Sequence, residues 1–223
     1  MLQFRGVVKH LIIINVLMFV GTRALPEAWR IQLALFYPTT DLFQPFQLVS
    51  SMFMHADLHH LFMNMLILFF IGPLLEDAIG PQRFLKLYLF AGFGAILLHW
   101  GVMWAEINVF GVPPGYETVI ERTPVLGASG AVFGVMAAVA MVLPNVVMQL
   151  IIPPIPVKMK YLVLFLIAIE IYSVILNRPG DNVAHWAHLG GAIIGAIMIL
   201  AWGLNQLGKG GGGGGRGGFE RWN

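Results

Sequence analysis

Four side chains in this sequence are of the kinds used in acyl chemistry: Ser129 and His188 as one pair, His60 and Asn64 as another. A serine hydroxyl becomes a useful nucleophile only with a base beside it. Ser129 sits in "PVLGASGAVFG", residues 124–134, among small residues at a helix start where unpaired backbone amides are available. Alone it is an ordinary serine that bonds back to the preceding turn. Nor does it form the Gly-x-Ser-x-Gly elbow of soluble hydrolases, because position 131 is alanine. His188 supplies the context. In "AHWAHLGGAIIGA", residues 184–196, His188, Gly191, Ala192, Gly195 and Ala196 recur at helical spacing, a smooth stripe with an imidazole at its end. Gly130 and Gly134 make a matching groove after Ser129, and small residues at such spacing let two helices approach at backbone distance. That approach would bring Ser129 within hydrogen-bond reach of His188. His60 and Asn64, four apart, share a helix face about 6 Å apart along the axis and point at one place. They serve either a site or an interhelical hydrogen bond that only holds helices together.

The elements that must position these groups are membrane helices. Apolar residues are 58% of the 223 and charged residues only 11%, outside the range of soluble domains. Crossing a hydrocarbon core of about 30 Å takes about 20 helical residues. Six stretches come near that, about 7–23, 58–75, 84–104, 127–143, 161–176 and 184–205. The fold expected is all-α, a six-helix transmembrane bundle over 1–207, followed by a flexible glycine-rich tail over 208–223. The short alternating segments of a membrane β-barrel are not seen. Lys9, His10 and Asn15 in the first stretch, without a clean small-residue cleavage site, predict a retained helix rather than a signal peptide. There is no cysteine, which excludes disulfides and thiolate chemistry. The mild positive charge needs no nucleic acid as partner.

Of the 13 Lys and Arg, nine fall on one side of the six spans and four on the other, which places both termini in the cytoplasm. Spans two, four and six then all start at the outer surface. His60, Asn64, Ser129 and His188 lie within about two turns of those starts, so four candidate groups from three helices share one depth. Two long outer connections, about 24–57 and 106–126, flank them, and "LFQPFQLVSSMF" in the first is expected to dip into the membrane interface. The inner connection 144–160 is expected on the membrane surface.

His-x-x-x-Asn (His60, Asn64), Gly-x-Ser-Gly (Gly127, Ser129, Gly130) and His-x-x-Gly-x-x-x-Gly (His188, Gly191, Gly195), in that order across roughly 7–205, resemble the rhomboid intramembrane serine proteases. The resemblance implies a Ser-His dyad, with Ser129 as nucleophile and His188 as general base and acid. It assigns the oxyanion hole to the Asn64 amide, the His60 ring and the Ser129 backbone N–H. It implies hydrolysis of transmembrane protein substrates in the bilayer, with entry between the second and fifth spans, no cofactor and no metal. His55 and Glu76 resemble family positions, and Phe133 stands where the family often has an aromatic and could stack on His188. Phe46-Gln47 departs from the Trp-Arg common in the family's first outer loop, which leaves open how that loop is braced. The setting expected is a bacterial inner membrane with the site near the outer face. Substrate identity, oligomeric state and regulation lie beyond the sequence.

Three rival readings follow from residues left over. His55 and His59 have helical metal-ligand spacing, with Asp57 as the one carboxylate in register, but His-Glu-x-x-His is absent. A catalytically inactive relative that binds transmembrane clients is a second reading, against which both Ser129 and His188 are retained. A small transporter is the third, for which Glu170 in the fifth span is the best support. Glu170 is expected to be structural, hydrogen-bonded to a neighbouring helix, with a site-facing role as the alternative. His99 and His185 are expected to be interface or packing residues, His185 also being a decoy for the base.

Overall fold

The computed structural model describes residues 6–149, 154–176 and 184–204. Six apolar helices dominate it: α1 (Gly6–Arg23), α4 (Leu58–Ile79), α5 (Pro81–Ala105), α7 (Ser129–Val142), α8 (Met159–Leu176) and α9 (His185–Ala201). Three short helices lie in the connections, α2 (Glu27–Ile31), α3 (Gln47–Ser50) and α6 (Tyr116–Arg122). By length and composition α1, α4, α5 with its extension to Phe110, and α8 can cross a membrane. The other two are shorter. The 14 residues of α7 rise about 21 Å, short of a hydrocarbon core of about 30 Å. The glycine-rich tail lies outside the described residues.

The ends of these helices are written in local chemistry. Asp57, extended at φ −149°, caps α4 by accepting the His60 backbone N–H at 2.7 Å. Gly80, at φ 84°, takes a left-handed conformation that a side chain would resist, and Pro81 begins α5 at once. The start of α1 is capped from another helix: Glu76 of α4 accepts the N–H groups of Val7 and Val8 at 2.8 and 3.0 Å. A carboxylate against a helix N-terminus satisfies free donors and meets the positive end of the dipole, so Glu76 has a structural use.

The bundle is arranged around α7, which buries ten of its 14 residues, nearly all small or β-branched. Helices α5 and α9 pack against it at backbone distance. A Cβ on Gly191 would overlap the Gly130 carbonyl, one on Gly195 the Gly134 carbonyl, and one on Gly190 would meet the Gly94 carbonyl of α5 at 2.7 Å. By contrast α8 turns Leu164, Phe165, Tyr172 and Ile175 outward, as lipid-facing residues must be, and buries only Met159, Val163 and Glu170. Those three fall on one helix face, so the acidic group lies on the inward stripe.

The connections hold two features not foreseen. Residues 144–160 contain a short antiparallel pair, β1 (Val147–Gln149) with β2 (Pro156–Lys158). In the first outer connection Gln47 is fully buried. Its Oε1 accepts from the N–H of Phe36 and Gln44 at 3.3 and 3.1 Å, and its Nε2 donates to the carbonyls of Gln32 and Leu42 at 3.0 and 2.9 Å. One amide thus fastens four loop backbone groups, which answers how a chain with Phe46-Gln47 braces this segment. Phe46 itself is exposed. Leu35 and Val125 then bond reciprocally at 2.9 and 2.8 Å, joining the two outer connections just ahead of Ser129.

Candidate active site

Ser129 is the first residue of α7, reached through Gly127 at φ 139°. Only glycine fits there. A Cβ on Gly127 would stand 2.8 Å from the His60 ring and 3.5 Å from the Ser129 hydroxyl, so the backbone, the imidazole and the hydroxyl converge on that point. The Gly127 N–H donates to the Ser51 carbonyl at 2.9 Å, which fixes the turn against the braced outer connection.

His188, three residues into α9, is held from two sides. Its Nε2 lies 2.8 Å from the Ser129 hydroxyl. Its ring lies flat on Phe133, centroids 4.5 Å apart and planes 8° from parallel. Because Phe133 is four residues after Ser129, the helix that carries the hydroxyl also carries the plate on which the imidazole rests. The glycine contacts between α7 and α9 set the separation at which both can be met.

The histidines of α4 divide by position. His60 faces Gly127, and His55 packs edge-on against His60 with centroids 5.1 Å apart. His55 is buried, and burial, reinforced by the adjacent His60 ring, pushes its imidazole down to about 4. Asp57 is exposed, and the His60 backbone N–H holds its carboxyl below the usual range. Asn64 is buried, and its amide donates to the His60 carbonyl at 2.9 Å, which occupies one of its two hydrogens within its own helix. His59, in the first turn of α4, is exposed.

Glu170 and His185 are where sequence reasoning fell short. Glu170 Oε2 is 2.6 Å from His185 Nδ1, a hydrogen bond, and 3.0 Å from His188 Nδ1, an ion-pair distance at which Nδ1 is not aligned for a hydrogen bond. Glu170 therefore faces the site and touches the imidazole beside Ser129, and His185 is its second partner rather than a bystander at the interface. The available signal was spacing. His185 and His188 are three apart on one face, and Glu170 lies six residues, about 9 Å, from the C-terminal end of α8, level with the first turn of α9. The ligand atoms of Glu170, His185 and His188 lie within 4.8 Å of one another, which makes them the group that could hold a cation. At 2.6 and 3.0 Å, however, carboxylate and imidazoles stand at direct hydrogen-bond distances.

His99 also differs from expectation. With Ser51, Gly127 and Ser129 it lines a cavity of about 40 Å³ behind the hydroxyl, room for one or a few waters with polar partners at hand.

Residues 42–204 match the Rhomboid domain family profile. The chain is 33% identical over 217 residues to RHOMBOID-like protein 12, mitochondrial, of Arabidopsis thaliana, covering 93% of this chain and 61% of that protein. To the Rhomboid protease AarA of Providencia stuartii it is 35% identical over 156 residues, 68% of this chain and 54% of that one. To Rhomboid protein 1, mitochondrial, of Saccharomyces cerevisiae it is 29% identical over 195 residues, 86% and 52% of the respective chains. The chain spans between about half and three-fifths of the length of these relatives.

Proposed function

The chain belongs to the Rhomboid family, and we propose that it is an intramembrane serine endopeptidase that cleaves transmembrane protein substrates. The observation that carries this reading is the 2.8 Å contact between His188 Nε2 and the Ser129 hydroxyl, with Phe133 flat against the imidazole. Ser129 attacks the scissile carbonyl, His188 takes its proton, and the same imidazole later returns a proton to the leaving amine. The Ser129 N–H, free at the first turn of α7, and the His60 ring beside Gly127 stand ready for the oxyanion. Asn64 completes the hole with its second amide hydrogen. Water for deacylation comes from the cavity lined by Ser51 and His99.

All six apolar helices cross the bilayer in this reading. The short α7, with its far end at the inner surface, sinks Ser129 below the outer one. Both termini lie on the more positive side. Relatives include two named as mitochondrial and one bacterial protein, so likeness favours an energy-transducing membrane without choosing a bacterial inner membrane over a mitochondrial one.

Reaction with a fluorophosphonate, followed by location of the label, tests the proposal. Labelling at Ser129 that disappears in Ser129→Ala and falls in His188→Ala, together with loss of cleavage of a reconstituted single-span substrate, is expected. Cleavage at the wild-type rate by either variant would overturn it.

A further inference from the structure

We infer that Glu170 is a positioning residue for His188, so that the Ser129–His188 pair of α7 and α9 is backed by a carboxylate from α8. This rests on the proposed peptidase function and deepens it. The two nitrogens of one imidazole face two different partners: Nε2 stands 2.8 Å from the Ser129 hydroxyl and Nδ1 stands 3.0 Å from Glu170 Oε2. A carboxylate accepts hydrogen bonds and does not donate them, so it selects the tautomer with the proton on Nδ1 and leaves the Nε2 lone pair toward the serine. This is the tautomer a general base needs. When the proton arrives on Nε2, the imidazolium that forms has a carboxylate in contact.

Placement on α8 argues against chance. Of its buried residues Glu170 is the single charged one, on a mostly apolar helix that turns Leu164, Phe165, Ile171 and Ile175 outward. A charged group in such a span is expensive unless something engages it, and what engages it is the pair of imidazoles at the start of α9. His185 shares the same oxygen at 2.6 Å and so fixes the carboxylate's direction. Nδ1 and Oε2 stand at hydrogen-bond distance but out of line, and hydrogen bonds of this kind tighten on the way to the transition state. Phe133 fixes the plane of the ring, and Glu170 fixes its rotation within that plane.

Glu170→Leu removes the acceptor at similar volume, Glu170→Asp keeps it on a shorter arm, and both are compared with wild type in the same detergent or bilayer. For Glu170→Leu kcat is expected to fall between about 10²- and 10⁴-fold with KM within about threefold. Glu170→Asp is expected to recover at least tenfold of that loss. Nitrogen-15 spectra of histidine-labelled protein add a readout independent of turnover. In wild type His188 carries its proton on Nδ1, and in folded Glu170→Leu the Nε2–H form grows. Wild-type kcat in Glu170→Leu would overturn the inference, as would a loss matched by an equal loss of folded protein with the His188 tautomer unchanged. Should wild type cleave no substrate and take no label at Ser129, the peptidase reading fails, while the tautomer comparison still decides the Glu170 contact.

Discussion

The imidazole of His188 lies parallel to the phenyl ring of Phe133, 8° from coplanar at 4.5 Å between centroids, while its Nε2 meets Ser129. An aromatic pair in such a geometry contributes about 0.5–1.5 kcal/mol beyond the area it buries. Lost from the positioning of a base, that corresponds to about two- to tenfold in rate. Phe133→Leu is therefore expected to lower kcat by about that factor with KM little changed, and Phe133→Tyr to keep most of the activity. Steady-state cleavage of a reconstituted substrate is the measurement. A Phe133→Leu enzyme as fast as wild type would show that the stacking positions nothing.

Gln47 holds four backbone groups of the first outer connection with one amide. Removing it leaves the buried Phe36 N–H among the groups without a protein partner, and such losses cost about 1–3 kcal/mol per group, partly offset where water can enter. Gln47→Leu is expected to lower stability by about 2–4 kcal/mol. It should also speed proteolysis between residues 33 and 45. Gln47→Glu keeps the accepting oxygens and loses both donated bonds, so it falls between. An unchanged thermal midpoint in Gln47→Leu would mean that the segment is held by its apolar contacts instead.

How far these arrangements could be read in the sequence depended on how local their causes are. Six apolar runs and the starts of α4, α7 and α9 were legible, because helix periodicity acts within a few residues, whereas α4 runs to Ile79 and α5 begins at Pro81, beyond the expected ends near 75 and 84. The glycine stripes of α7 and α9 were legible as surfaces that could meet. The third surface on that seam, Gly94 of α5 against Gly190, has no chemical group beside it to mark it in the sequence. Glu76 capping α1 and Gln47 fastening its loop join residues far apart in the chain, and nothing in either neighbourhood names the partner. Glu170 was legible as an anomaly, but its target was not, since the depth of α8 against α9 had to be known first. The β1–β2 pair has strands of only three residues each, too short for a pattern to show in the sequence.

Two glycines in apolar helices should behave oppositely when given a methyl group. A Cβ on Gly191 would overlap the Gly130 carbonyl, whereas one on Gly21 meets nothing within 4 Å. Gly191→Ala must push α9 off α7 and with it His188 off Ser129. A shift of about 1 Å at a reacting group can reduce the rate about 10²-fold. Gly21→Ala is expected to leave activity unchanged and to gain up to about 1 kcal/mol of helix stability. Cleavage rates and thermal midpoints of the two variants check this. Equal behaviour would mean that the α7–α9 seam is looser than its carbonyl contacts imply.

Acid sensitivity should run through His55. Burial, with the His60 ring adding to it, holds this imidazole neutral down to about 4, whereas an unfolded chain protonates it near 6.5. Below about 6.5 the unfolded state thus takes up a proton that the folded state refuses. The contribution to stability is complete above that pH, is lost as pH falls from about 6.5 toward 4, and changes no further below, a total of the order of 3 kcal/mol. Asp57 acts in a lower window: the His60 N–H depresses its carboxyl, so its contribution is present above the ordinary carboxylate range and is lost as pH drops beneath it. His55→Phe keeps a ring against His60 and has nothing to protonate. Thermal midpoints of wild type and His55→Phe, followed from pH 7 to pH 4, are expected to fall more steeply for the wild type. Parallel curves over that range would mean that the His55 site takes up its proton without unfolding, and that the ring is less shut off from water than its contacts require.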